Sequence, residues 1–434
     1  MGLEEIRRRE AAHFLPVVNR LPVALVEGRG SRVVDVDGRE YVDLTSGWGV
    51  CAIGHCHPAL VEAISKQAAR LMQTTNLFYT LPQLDLAETL GALAPEAITR
   101  SFFVNSGTEA IEGALKLAHR ATGRRKFVST ENSFHGRTLG ALSVIGQARH
   151  RDAYRDLLPE QVVVPFGDLA AAERALDGET AAFIVEPVQG EGGVNVAPEG
   201  YLSGLRELCD ASGALLILDE IQTGIGRTGK MLALEHEPVV PDVLALGKGL
   251  GGGFPVAAFL CTEAVAETVK PGDHGGTYVG NPVACAAANA VLAVIEENKL
   301  VGRSAKLGAR LIGRLRAFAE SNPGVARGAR GRGLLVGLVL EDADAATTLP
   351  KRALEAGVLI NVTAGNVLRL FPALEGRRIT HAWGGPIDVS PSHIPQIGSL
   401  DGTPVHYAFG YTGNGVGPSQ LAGRTLAALA AHEA

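Results

Sequence analysis

The sequence predicts an α/β protein: a large domain with a mainly parallel sheet covered by helices on both faces, and a smaller α/β domain. Three observations carry this. From Phe102 onward, apolar runs alternate with helical stretches: SFFVNSGTEAIEGALKLAHRAT, KFVSTENSFHGRT, AAFIVEPVQGEGG, ALLILDE and DVLALGKG. That alternation means a parallel sheet with crossover helices. The runs are short, continuous and bounded by charge, as strands buried on both faces are. After Asn281-Pro282 a long helical pattern reaches about Glu320, a glycine- and arginine-rich break follows at residues 324–333, and a second unit begins with LLVGLVL and ends in VLINVTAGNVLRLFPAL.

Taken in order, residues 1–20 read as a charged helix. Val33 to Asp43 give two alternating runs about Asp37-Gly38, a hairpin signal. SGWGV is a glycine-rich loop, and His57-Pro58 opens a helix to about Leu71, with proline in its first turn. The His55-Cys56-His57 cluster reads as a turn; no metal site is expected. The chain has 434 residues, 46% hydrophobic and 20% charged, with a formal charge of −6. That length allows two domains. With no basic run, nucleic acid is not an expected partner. No apolar segment reaches membrane-spanning length. The N-terminal stretch carries no signal-peptide core, and the five cysteines show no paired spacing. These features read as a cytoplasmic protein with free thiols.

The chemistry gathers in residues 216–255. The run ending at Asp219 places that carboxylate at the C-terminal end of a strand, where open α/β sheets hold ligands. The next run, VLAL, ends at Gly247-Lys248-Gly249. A lysine among apolar and glycine neighbours loses solvation, which lowers its pKa and frees its amine to attack a carbonyl. A lysine and a carboxylate, each at a strand end, suit pyridoxal 5'-phosphate (PLP): the lysine links to the aldehyde and the carboxylate pairs with the pyridinium nitrogen. The string LDEIQTGIGRTG, followed by ALGKGLGGGFP, resembles the class III, fold-type I PLP-dependent aminotransferases. Over residues 15–374 the resemblance is closest to acetylornithine and ornithine-type enzymes.

That resemblance implies the remaining roles. Lys248 and Asp219 are the catalytic pair. Gly107 and Thr108, in SGTEA before a helix, match the phosphate loop, as a helix N-terminus suits phosphate. Phe134 covers one face of the cofactor ring and Ile221 the other, while Gln222 matches the partner of its phenolic oxygen. Arg137, in FHGRT, matches the arginine for the substrate α-carboxylate. Glu191 and Arg369 match a gating pair that releases the arginine for the second carboxylate of 2-oxoglutarate or glutamate. Thr277 matches the threonine that reaches the neighbouring subunit's phosphate, implying a homodimer with a shared site. The implied reaction moves the ω-amino group of an ornithine-like donor to 2-oxoglutarate, giving a semialdehyde and glutamate. The implied domains are 1–55 and 286–374 (the small domain, built from both termini) and 56–285 (the large PLP-binding domain).

Two departures stand out. Gly276 replaces the Ser or Thr usual before Thr277 in acetylornithine enzymes, which leaves a 4-aminobutyrate-type aminotransferase or a PLP aminomutase as alternatives. Residues 375–434 leave the pattern. From about 379 to 430 they resemble the C-terminal end of flavin-dependent D-amino acid oxidases, so a flavin-linked fusion, or a PLP-binding protein without activity, is the more distant alternative. The N-terminal region carries no GxGxxG fingerprint for that flavin. Leu421, Ala422, Leu426 and Leu429 fall on one face of a helix that begins near Pro418. That helix is expected to cover the small-domain sheet, with a loose glycine-rich stretch at 406–417 before it.

Overall fold

The computed structural model describes residues 1–159 and 161–375, and beyond them the strands Gln396–Ser399 and His406–Phe409. The chain forms two compact units, Met1–Arg377 and Arg378–Ala434.

The centre of the first unit is a seven-stranded sheet. Its order in space is Ile98–Val104, Ala257–Thr262, Val243–Leu246, Leu215–Asp219, Thr180–Val185, Lys126–Thr130 and Val162–Val164. Ala257–Thr262 runs antiparallel to both its neighbours; the others share one direction. Side chains of successive residues point to opposite faces, so each apolar run feeds two cores. Leu216 and Leu218 join one cluster and Ile217 the other, and Leu244 and Ala245 divide in the same way. The helix Gly107–Thr122 buries Ala110, Ile111, Ala114 and Ala118 on the second face. Helices Tyr201–Ser212 and Pro282–Glu297 supply the first face. This explains why the runs read as continuously apolar: both faces of each strand are covered.

The small sheets draw on both termini. Arg32–Asp35 and Glu40–Asp43 pair as the expected hairpin, with Val33 opposite Tyr41. Leu25–Arg29 joins one side and Val358–Leu359 the other, in parallel with Glu40–Asp43. A second sheet has the order Ala326–Arg332, Leu335–Leu340, Val367–Leu370, Asn361–Thr363.

Two helical readings change. The N-terminal helix ends at His13, with Pro16 close behind. The long pattern after Pro282 is two helices, Pro282–Glu297 and Leu300–Ser321, broken at Lys299, whose φ is +52°. Left-handed backbone ends a helix but leaves side-chain periodicity legible on either side. His57 opens its helix as expected, accepting from the Ala59 N–H. His55 Nε2 donates to Asp43 Oδ2 at 2.7 Å, so two histidines of the GHCHP cluster have structural work. Among the described residues no helix is long and apolar enough to cross a membrane.

In the tail, Gln396–Ser399 and His406–Phe409 pair antiparallel, with Ile397 opposite Ala408. The first residues of the stretch read as loose are therefore a strand. The helix expected from Pro418, its cover over the small sheet and the remainder of the glycine-rich stretch lie outside the described residues.

Candidate active site

Parallel strands end at one edge, and the site residues follow from that. Asp219 closes its strand, in register with Ala245 on the next, and Lys248 lies just past that neighbour's end. Glu186 follows Thr180–Val185, Phe134 and His135 follow Lys126–Thr130, and Gly107 follows Ile98–Val104. Five loops thus open on one rim, and apart from Phe134 and His135 none of these residues is adjacent in sequence.

At the phosphate loop, Glu109 reaches back to accept from the N–H groups of Asn105 and Ser106 at 2.6 and 3.2 Å, fixing the start of the helix at Gly107. The hydroxyls of Thr108 and Thr138 are 2.7 Å apart. A Cβ on Gly107 would lie 2.9 Å from Ile221 Cγ2, and one on Gly247 3.3 Å from the same atom. Ile221 therefore packs between the phosphate loop and the lysine segment, and only glycine leaves it that room.

Asp219 is 4% exposed and His135 2%. His135 Nδ1 donates to Asp219 Oδ2 at 2.7 Å, and the other oxygen accepts from the Ile221 N–H at 3.0 Å. Behind them, Glu186 accepts from the N–H groups of Phe134 and Gly190. Burial pushes the Glu186 carboxyl up to about 7; the nearby His135 opposes this and Asp219 adds to it. Lys248 holds a φ of +43° between two glycines. For a side chain larger than glycine that is a strained conformation, of the kind found at functional sites. Desolvation lowers the pKa of its amine; Glu191 and Asp219 oppose the shift, and Arg369 adds to it.

Arg369 is buried, and its Nη2 donates to Glu191 Oε1 at 2.6 Å. Asn361 Oδ1 accepts from the same guanidinium at 2.8 and 3.1 Å, and Phe371 lies beneath it with its ring centre 4.7 Å from Cζ. Burial alone would raise the Glu191 pKa, but Arg369 outweighs it and the carboxyl is held low. Arg137, by contrast, is exposed; its guanidinium stands 5.6 Å over the Phe134 ring and makes no ion pair with the described residues.

Thr277 is not brought to Lys248 in this way. It sits on an exposed segment, with its carbonyl accepting from Gln73 Nε2 at 2.6 Å. Next to it, a Cβ on Gly276 would come 2.8 Å from Val279 Cγ1.

The aminotransferase class-III family pattern matches residues 16–379. The chain is a class-III aminotransferase. An acetylornithine aminotransferase of Methanopyrus kandleri is 49% identical over 365 residues, 83% of this chain and 92% of that protein. One from Mycobacterium leprae is 47% identical over 354 residues, 81% of this chain and 86% of that one. Among solved structures, the ornithine aminotransferase of Toxoplasma gondii matches with a TM-score of 0.82 at 35% identity, covering 86% of this chain and 91% of that one. The acetylornithine aminotransferase of Elizabethkingia anophelis matches with a TM-score of 0.76 at 36% identity, covering 87% and 95%. The resemblance of residues 379–430 to flavin-dependent oxidases finds no support in these matches.

Class-III aminotransferases use PLP, and the aminotransferase rim fits it. Gln222 Oε1 is buried without a hydrogen-bond partner in the protein, an arrangement that buried polar atoms avoid unless a ligand completes them. Space for that amide is kept by Gly190, where a Cβ would fall 1.4 Å from Oε1. A buried carboxylate, a desolvated amine and a helix N-terminus share the same rim. The sequence reading gave no role to His135, Glu186, Asn361 or Thr363. Thr363 donates to the Glu191 carbonyl at 2.6 Å. His135 sits inside the FHGRT motif and could have been singled out as a buried polar residue at a strand end; the others are assembled only by the fold.

Proposed function

We propose that this aminotransferase transfers the ω-amino group of N-acetylornithine to 2-oxoglutarate, forming a semialdehyde and glutamate. One observation carries the reading. Two arginines differ: Arg369 is buried, paired with Glu191 and close enough to Lys248 to act on its amine, whereas Arg137 stands exposed over Phe134 and makes no ion pair with the described residues. A site for one monocarboxylate donor and one dicarboxylate acceptor needs that difference. Arg137 takes a carboxylate common to both substrates, and Arg369 becomes available only to a ligand that displaces Glu191.

Bound PLP supplies an aldehyde for the lysine and an electron sink for the pair left when the substrate carbon loses its proton. Lys248 Nζ, its pKa lowered by desolvation, would be the base that takes this proton and the acid that returns it. Asp219, held by His135, would present its carboxylate to the pyridine nitrogen. Gly107 and Thr108 would receive the phosphate, Phe134 and Ile221 would cover the ring, and the Gln222 amide would hydrogen-bond the phenolic group, whose O–H can donate to the unpartnered Oε1.

The reading divides the first unit into a large domain at 56–285 and a small one from 1–55 and 286–374. It also makes the enzyme a homodimer, with Thr277 completing the neighbouring subunit's phosphate site. Supporting this, Leu77, Phe78 and Tyr79 are 85%, 64% and 105% exposed, an apolar stretch of the kind that marks an interface. We place the enzyme in the cytoplasm, which suits five free thiols.

A panel of N-acetylornithine, ornithine and 4-aminobutyrate, each with 2-oxoglutarate, tests the substrate. N-acetylornithine should give the highest kcat/KM. A preference for 4-aminobutyrate would point instead to the alternative that Gly276 suggests, and turnover without 2-oxoglutarate to an aminomutase.

A further inference from the structure

This inference rests on the reading of Arg137 as the donor's carboxylate site. His150 lies in the turn of helix Ala148–Arg151, outside the motifs discussed above. Its ring meets Phe134 edge-on, with centroids 5.8 Å apart and planes at 81°. The Arg137 guanidinium stands over the same Phe134 ring at 5.6 Å. One aromatic ring thus holds both the exposed arginine and the imidazole. His150 is half-buried, and its ring nitrogens make no hydrogen bond with the described residues. A polar ring fixed beside a substrate-facing arginine, with its nitrogens unengaged, has hydrogen bonds to offer a ligand.

The charges around it define which ligand. The groups facing His150 are Arg137 from the Phe134 loop, Arg149 from its own helix, and Glu191 from the loop after Val188–Gln189. Burial first, then the two arginines, push the pKa of His150 down, with Glu191 opposing. These surroundings disfavour the protonated ring, and a neutral imidazole offers one donor and one acceptor. Glu191, the one carboxylate facing it among the described residues, is engaged by Arg369.

A donor anchored on Arg137 by its α-carboxylate carries its α-nitrogen on the adjoining carbon. If that nitrogen is a free ammonium, it meets two guanidinium groups and a neutral ring, with no unengaged carboxylate. Left without a partner, it loses its hydration uncompensated. If the nitrogen is acylated, it carries no charge and presents an N–H and a carbonyl, which match the acceptor and donor of a neutral imidazole.

We propose that His150 is a specificity-determining residue that selects donors with an acylated α-nitrogen by hydrogen bonding the acylamido group of a donor anchored on Arg137. Specificity here comes from a mismatch against the free amine as much as from contacts to the amide.

The test uses the PLP-loaded enzyme with N-acetylornithine and ornithine as donors. Binding of N-acetylnorvaline and norvaline, which lack the reacting amine, is measured alongside. His150→Leu should lower the acetylated-to-free ratio, in kcat/KM and in affinity, roughly tenfold, the factor that one hydrogen bond to a charged or well-placed partner carries. His150→Gln keeps a donor and an acceptor and should stay within about threefold of the parent. His150→Glu gives the ammonium a counter-charge and should lower the ratio furthest. Ratios unchanged in the Leu and Glu variants overturn the proposal. Arg137→Leu serves as the second arm: weaker binding of both norvaline compounds leaves the carboxylate reading standing whatever His150 does. Unchanged binding there removes that reading, and the proposal with it.

Discussion

Replacing Glu191 with alanine should change acceptor binding and stability together. Arg369 has 1% of its side chain exposed and Glu191 25%. Removing the carboxylate leaves a buried guanidinium with Asn361 as its remaining side-chain acceptor. Buried pairs broken from one side lose several kcal/mol. Partial exposure of Glu191 and the Asn361 bonds reduce that loss, so we expect about 2 kcal/mol. A dicarboxylate ligand would recover it by placing its second carboxylate on Arg369. The affinity for glutarate, which cannot react, should therefore rise about thirtyfold, the factor that this energy represents. Calorimetry gives the affinity, and denaturant unfolding with and without glutarate gives the stability. The KM for 2-oxoglutarate should fall in parallel, while the KM for N-acetylornithine changes little. Glutarate affinity and stability both equal to those of the parent would refute the pairing as a gate.

Lys248→Ala should leave PLP bound without a covalent link, so that borohydride treatment attaches no cofactor; a reduced adduct on another lysine would overturn the assignment. Gly190→Ala places a methyl group in the volume of Gln222 Oε1 and should weaken PLP binding about tenfold by dialysis, the scale of an overpacked interior. Glu220 is buried, accepts from the N–H groups of Ala233 and Leu234, and is pushed up by burial to about 7 from 4.5. Because its folded pKa lies above the unfolded one, its stabilising contribution is complete below about 4.5 and disappears as pH rises through about 7. Glu220→Gln should flatten the melting temperature across that window, removing a dependence on the order of 3 kcal/mol.

Lys248 and Asp219 were legible because each lies at the end of a buried strand, and a buried strand shows as an apolar run that stops at a charge. Glu191 and Arg369 could be named only by resemblance; their contact joins residues 178 positions apart, which no local pattern encodes. His150, Asn361 and Thr363 escaped for the same reason: each acts through a side chain brought to it by the sheet edge. The fourth strand of the N-terminal sheet, Val358–Leu359, is two residues long and too short for period-two alternation to show. Left-handed backbone at Lys299 is equally silent, since a lysine there looks like any surface position. Thr277 sits on an exposed segment, and among the described residues only its backbone carbonyl is engaged, by Gln73.

Following an isotopically labelled ω-nitrogen of N-acetylornithine through the reaction tests the central claim most directly. The account requires the label to appear in glutamate, with one semialdehyde formed for each labelled glutamate and no turnover in the absence of 2-oxoglutarate. Label released as ammonia, or retained in a rearranged donor, would contradict it.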